Sequence, residues 1–168
     1  MRRTTLLLAV MLVALVLGSS IALAATVRCD GGECRGTNAA DALVGSDIRD
    51  IMYGFRGDDR IYGQGGNDEV YSAQGNDLLR GGAGVDELYG GSGNDRIFGE
   101  ASTDYIDGGT NNDRLVGGPG VDEIYGGPGN DNINSADGVA EIVDCGFGVD
   151  TADVDVGVGS VSNRENVS

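Results

Sequence analysis

Aspartate recurs every nine residues through the middle of this 168-residue chain. Asp41, Asp50, Asp59, Asp68, Asp77, Asp86, Asp95, Asp104, Asp113, Asp122 and Asp131 share one phase, with no insertion or deletion between them. One such Asp is an ordinary turn former. A pair of carboxylates could cut a glycosidic bond. Eleven in strict phase suit neither role, because a turn explains neither the regularity nor the charge. The remaining chemistry is that of hard oxygen donors for a cation.

The residues around each Asp form a nonapeptide that runs from Gly36 to Asn134. Gly81-Gly82-Ala83-Gly84-Val85-Asp86-Glu87-Leu88-Tyr89 is one copy, and Gly90-Gly91-Ser92-Gly93-Asn94-Asp95-Arg96-Ile97-Phe98 is the next. Position one is Gly except at Ser72. Position eight is always a large apolar residue: Leu43, Met52, Ile61, Val70, Leu79, Leu88, Ile97, Ile106, Leu115, Ile124 and Ile133. A fixed short period of this kind signals a solenoid, whose units bury their apolar side chains only by stacking. Positions one to six suit a tight Gly-rich loop and positions seven to nine a brief strand. Side chains alternate across a strand, so position eight faces inward.

Two repeats close one coil, and copies 18 residues apart lie above one another. The aspartates then form two columns. Asp41, Asp59, Asp77, Asp95, Asp113 and Asp131 make one, and Asp50, Asp68, Asp86, Asp104 and Asp122 the other. Carboxylates stacked about 5 Å apart repel one another. A hard cation between loops removes that repulsion. Calcium fits, because it takes oxygen ligands in flexible geometry, whereas magnesium wants a tighter octahedron and zinc wants His or Cys. The two columns leave five and four gaps, so nine ions is the ceiling.

Gly-Gly-x-Gly-x-Asp-x-aliphatic-x resembles the RTX, or haemolysin-type, calcium-binding repeat. The resemblance implies an all-β fold, a right-handed parallel β-roll (β-solenoid) that folds on binding calcium. It implies that the position-six Asp supplies carboxylate while loop carbonyls complete the shell. The loops ending in Asp41, Asp50 and Asp104 lack Gly at position four, so their sites depart from the pattern. Residues 135–168 resemble the C-terminal cap of small secreted members of the family. In those a second Cys commonly lies just before a Glu near the end. Here Arg164 precedes Glu165, which leaves Cys145 free, modified or intermolecular.

Residues 1–24 read as a secretory signal peptide, with Arg2 and Arg3, the apolar run Leu6 to Leu17 and the cleavage signal Ala22-Leu23-Ala24. The alternatives are a twin-arginine signal or a membrane anchor, for which the run is short. Residues 25–35 read as an N-terminal cap closed by a Cys29–Cys34 disulfide, the natural state of a short Cys loop in an exported protein; free thiols are the alternative. Cys145 lies beyond the far end of the stack, out of reach of either.

Formal net charge is −16, and removing Arg2 and Arg3 leaves 9 Arg against 27 acids, or −18. A chain this acidic and Gly-rich resists compaction until the charge is neutralised. So negative a chain argues against nucleic acid as a partner. There is no His and no Lys, which removes His triads, HExxH zinc sites and the P-loop lysine. The expectation is a secreted, extracellular, non-enzymatic calcium-binding protein that is all array, with a structural or adhesive role and no membrane span after cleavage. A calcium-dependent carbohydrate-binding module is the alternative. Positions seven and nine sort into two outer faces. One carries Tyr53, Tyr71, Tyr89 and Tyr125 beside Glu69, Glu87, Tyr105 and Glu123, and the other carries Arg60, Arg80, Arg96 and Arg114. These faces either pack as plain ladders or recognise extracellular polysaccharide or a second copy of the chain.

Overall fold

The computed structural model describes residues 26–155 and 160–162, and every regular element among them is a strand. The first coil consists of β1 (Thr26–Arg28) and β2 (Gly32–Arg35). The repeats supply β3 (Ala42–Val44), β4 (Asp50–Arg56), β5 (Arg60–Gly65), β6 (Glu69–Gln74), β7 (Leu78–Ala83) and β8 (Glu87–Ser92). They continue with β9 (Arg96–Ala101), β10 (Tyr105–Thr110), β11 (Arg114–Val116), β12 (Glu123–Tyr125) and β13 (Asn132–Asn134). Beyond them lie β14 (Ile142–Asp144), β15 (Thr151–Asp153) and β16 (Ser160–Ser162). Odd-numbered strands form one eight-stranded sheet and even-numbered strands the other, in chain order and all parallel. The architecture is a parallel β-roll, as the period requires.

The register repeats every 18 residues through the array: Leu43 pairs with Ile61, Ile61 with Leu79 and Val70 with Leu88. The position-eight side chains stack in the narrow space between the sheets. Leu43 to Ile133 are each at most 1 % exposed. Each such side chain contributes about 1.5–3 kcal/mol by leaving water, and only because a neighbouring coil covers it.

Two features depart from the sequence reading. Strands β4 to β10 run past position nine into positions one to three, because inter-coil hydrogen bonding continues through the corner, as in Gly65 N–H to Ser46 O at 3.1 Å and Gly66 N–H to Ala83 O at 2.9 Å. The sheets also continue beyond Asn134. Ile124 pairs with Val143 and Ile133 with Ala152, a spacing of 19 residues that reveals one inserted residue between Ser135 and Asp144. Cys145 to Asp153 is therefore a further nonapeptide in register, with Cys at position one, Asp150 at position six and Ala152 at position eight.

Among the described residues no helix is long and apolar enough to cross a membrane. The expected signal peptide lies outside the described residues. Cys29 and Cys34 are disulfide-bonded, with Cα atoms 5.8 Å apart, and Cys145 is unbonded and buried. Burial, together with the charges of Asp150, Asp144 and Asp131, pushes the Cys145 thiol up, so it is a poor nucleophile.

Candidate metal centre

Position six begins each inward-facing run of the strand, so every repeat Asp points toward the interior. All eleven are at most 2 % exposed. Their Oδ1 atoms build a ladder. Asp41 N–H donates to Asp59 Oδ1 at 2.7 Å, Asp59 N–H to Asp77, Asp77 N–H to Asp95 and Asp95 N–H to Asp113, and the series ends with Asp131 N–H to Asp150 Oδ1 at 2.8 Å. The second column repeats the pattern from Asp50 to Asp122, and Gly31 N–H caps it on Asp50 Oδ1. Sequence reasoning placed these residues in two columns, and the structure brings them together so.

The second oxygen divides the aspartates into two groups. Asp41 Oδ2 accepts the N–H and hydroxyl of Thr37, at 2.5 and 2.8 Å. Asp50 Oδ2 accepts the same pair from Ser46, at 2.8 and 3.0 Å. In Asp59, Asp68, Asp77, Asp86, Asp95, Asp104, Asp113, Asp122, Asp131 and Asp150 the Oδ2 is buried and has no hydrogen-bond partner. Ser72, beside Asp77, gives its hydroxyl hydrogen to Gly90 O at 2.7 Å instead.

The backbone explains the split. In the copies from Gly54 onward position two adopts positive φ, at Gly82 (113°) and Gly91 (97°) but also at Phe55 (80°), Gln64 (75°), Ala73 (76°) and Glu100 (79°). Thr37 and Ser46 are not among the positive-φ residues, and their loops close on the Asp side chain. Gly at position one leaves room for the carboxylate: a Cβ on Gly63, for instance, would overlap both Asp68 Oδ2 and Gly81 O. From Gly57 to Gly120 position four also adopts positive φ, and the copies ending in Asp104 and Asp113 reach it without Gly, through Ser102 (94°) and Asn111 (85°), the second a departure the sequence reading overlooked. The Asp104 loop thus keeps the shape of the complete loops although its sequence departs from the pattern. A second ladder at position five stiffens the corners, as in Asn94 N–H to Asn76 Oδ1 and Asn112 N–H to Asn94 Oδ1, both 2.9 Å.

Unpartnered buried carboxylate oxygens are rare and costly, about 1–3 kcal/mol each and more when charged. Their proton affinities register that cost. Burial pushes Asp59 and Asp131 up to about 6, Asp68, Asp95 and Asp104 to about 7 and Asp113 to about 8, against the N–H bond each accepts. Burial raises Asp77, Asp86 and Asp122 as well. Two columns of inward oxygens, each oxygen short of one positive partner, are the donor set that a hard cation completes.

The pattern of the RTX calcium-binding nonapeptide repeat (4 copies) matches the chain at residues 35–70, 44–79, 71–106, 80–114 and 107–139. The chain belongs to the RTX calcium-binding repeat family. No curated protein matches the sequence significantly. RTX repeats bind calcium, and the unpartnered Oδ2 atoms fit that ion, because calcium accepts many oxygen ligands and needs negative ones to bind well.

The RTX match ends before two position-six residues that the sequence reading also missed, Asp150 and Glu141. The signal for Asp150 was present in Gly146-Phe147-Gly148-Val149-Asp150, displaced from the RTX phase by one residue. Glu141 occupies the Asp position in the ten-residue copy. Burial, then the charges of Asp137 and Asp155, push its carboxyl up.

The outer faces have the columns expected of them. Tyr53, Tyr71 and Tyr89 stack with centroids 5.3 and 4.8 Å apart and planes within 7°. Tyr89, Tyr105 and Tyr125 are tilted, with centroids 5.5 Å apart. The Tyr71, Tyr89 and Tyr125 hydroxyls donate to Glu69, Glu87 and Glu123. On the other face Arg80 lies over Phe98 and pairs with Glu100 at 3.1 Å.

Proposed function

We propose that this RTX protein is secreted, binds several calcium ions through the position-six aspartates, folds as it does so, and serves as a non-enzymatic structural or adhesive rod outside the cell. The observation that carries the reading is the set of buried Oδ2 atoms without a partner. Asp59, Asp68, Asp77, Asp86, Asp95, Asp104, Asp113, Asp122 and Asp131 are the principal ligands. Asp41 and Asp50 would exchange a bond to Thr37 or Ser46 for the ion, so their sites are weaker. Bound calcium supplies positive charge between stacked carboxylates. The chain supplies oxygens already held in columns by backbone N–H groups. Export suits both the N-terminal sequence and the Cys29–Cys34 bond, which persists in an oxidising compartment. Calcium titration of the mature chain, followed by circular dichroism and by the count of bound ions, tests the reading.

A calcium-dependent carbohydrate-binding module is the second reading, and one place favours it. Tyr105, Asp107, Tyr125, Asp144 and Phe147 line an open groove of about 510 Å³, with Phe147 exposed. The faces of Tyr71 are covered by its ring neighbours, which leaves edges and hydroxyls for contact there. Glycan-array binding that requires calcium and is abolished by Tyr125→Thr and Phe147→Ala would favour the module. A second copy of the chain, its acidic face against the arginine face, is the partner to test by sedimentation at low and high salt.

A further inference from the structure

The C-terminal loops bring together three acids outside the two aspartate ladders. Asp137 and Glu141 stand in the loop between β13 and β14, and Asp155 follows β15 one coil further on. One carboxylate oxygen from each lies within 4.8 Å of the others. Backbone groups aim two of them. Asp137 Oδ2 accepts Gly120 N–H and its Oδ1 accepts Val139 N–H, both at 2.9 Å. Asp155 Oδ2 accepts the N–H groups of Asp137 and Gly138, at 2.9 and 2.5 Å.

Glu141 is the independent observation. It is 3 % exposed, and its Oε1 has no hydrogen-bond partner. None of the ion pairs among the described residues includes any of the three acids. A buried carboxylate facing two others needs a cation or a proton between them. We propose that Asp137, Glu141 and Asp155 hold a calcium ion that ties the last coils of the roll together.

The donor set differs from that of the repeat loops. It draws on Glu instead of Asp at position six, and on carboxylates from two successive coils. Magnesium usually binds through one or two carboxylates and keeps its waters, whereas three converging carboxylates suit calcium's larger shell. The inserted residue between Ser135 and Asp144 gives the loop the length to carry both Asp137 and Glu141 to the same point. The site closes the end of the second column, where Glu141 follows Asp122.

Equilibrium dialysis of the full mature chain against calcium, with native mass spectrometry to count ions, tests this. Glu141→Gln keeps the shape and removes the charge. The expected result is one ion fewer per chain, a calcium-induced β signal within about twofold of the parent midpoint, and calcium-dependent hydrogen-exchange protection lost only over residues 135–155. The double variant Asp137→Asn, Asp155→Asn should lose the same ion without altering the buried position. An unchanged count in both variants would overturn the proposal, leaving a shared proton in the place of the ion. So would a loss in Glu141→Gln alone, which would report packing. Asp95→Asn is the control: if it leaves the count intact while Glu141→Gln lowers it, the ladder reading fails and this one stands.

Discussion

The first two loops of the array and those that follow carry the same aspartate at the same position, yet the structure gives that aspartate two different fates. In residues 36–50 the second carboxylate oxygen is satisfied locally by Thr37 or Ser46. From residue 54 to 131 it is buried without a partner. The comparison teaches that Asp at position six does not by itself leave an oxygen without a partner. The conformation at position two marks the difference, open in positive φ from Phe55 to Gly127 and closed on the Asp side chain at Thr37 and Ser46.

The largest expected effect is that of Asp95→Ala. It removes an unpartnered oxygen and leaves Asp77 N–H without its acceptor. The expectation is a loss of about 1–3 kcal/mol in calcium, a higher calcium midpoint and a lower ion count. Asp41→Ala should cost about 1 kcal/mol, the worth of a local side-chain cap, and raise the calcium midpoint less. Equal calcium midpoints for the two variants would erase the distinction between the regions. The converse experiment is Thr37→Gly with Ala39→Gly, which removes the hydroxyl bond to Asp41 Oδ2 and eases the loop toward positive φ; it should tighten calcium binding there, read as occupancy by native mass spectrometry.

Acid should also act on the loops from Gly54 onward. The inner aspartates have proton affinities raised from the ordinary 3.8 to about 6, 7 or 8. The folded metal-free state therefore binds more protons than the unfolded one. Its stability is full below about pH 4 and falls as pH rises through about 6 to 8. In chelator, β structure should grow on titration from pH 8 to pH 5, and saturating calcium should abolish that dependence. A fold in chelator that gains stability toward pH 8 would contradict the sign.

Much of this was legible in the sequence. The nine-residue phase of Asp and the apolar position eight gave the roll, the two columns and the register, because a solenoid repeats one environment. Asp150 was hidden by a single inserted residue, and by Cys145 and Ala152 standing where Gly and a large aliphatic residue are the rule. The capping by Thr37 and Ser46 was hidden because a hydroxyl at position two reads as filler until its distance to the carboxylate is known. The Asp104 loop lacks the position-four Gly, but stacking forces Ser102 into the required conformation. The long strands followed from hydrogen bonds around the corner, which no side-chain pattern encodes.

Ser102 also supplies the smallest test of the comparison. A non-Gly residue held at φ 94° costs about 1–2 kcal/mol. Ser102→Gly should recover part of that and lower the calcium midpoint slightly, whereas Ala39→Gly alone, in a loop closed by Thr37, should leave it unmoved. A larger shift from Ala39→Gly than from Ser102→Gly would show that position four does not govern the site.

Calcium should complete a donor set that the chain alone leaves short of positive charge. Far-ultraviolet circular dichroism of the mature chain at pH 8 tests it most directly, in excess chelator and then across a calcium titration. The expected result is little β signal in chelator and cooperative folding at about 0.1–1 mM calcium, the range of extracellular modules. A full β signal in chelator at that pH, unchanged by calcium, would contradict it.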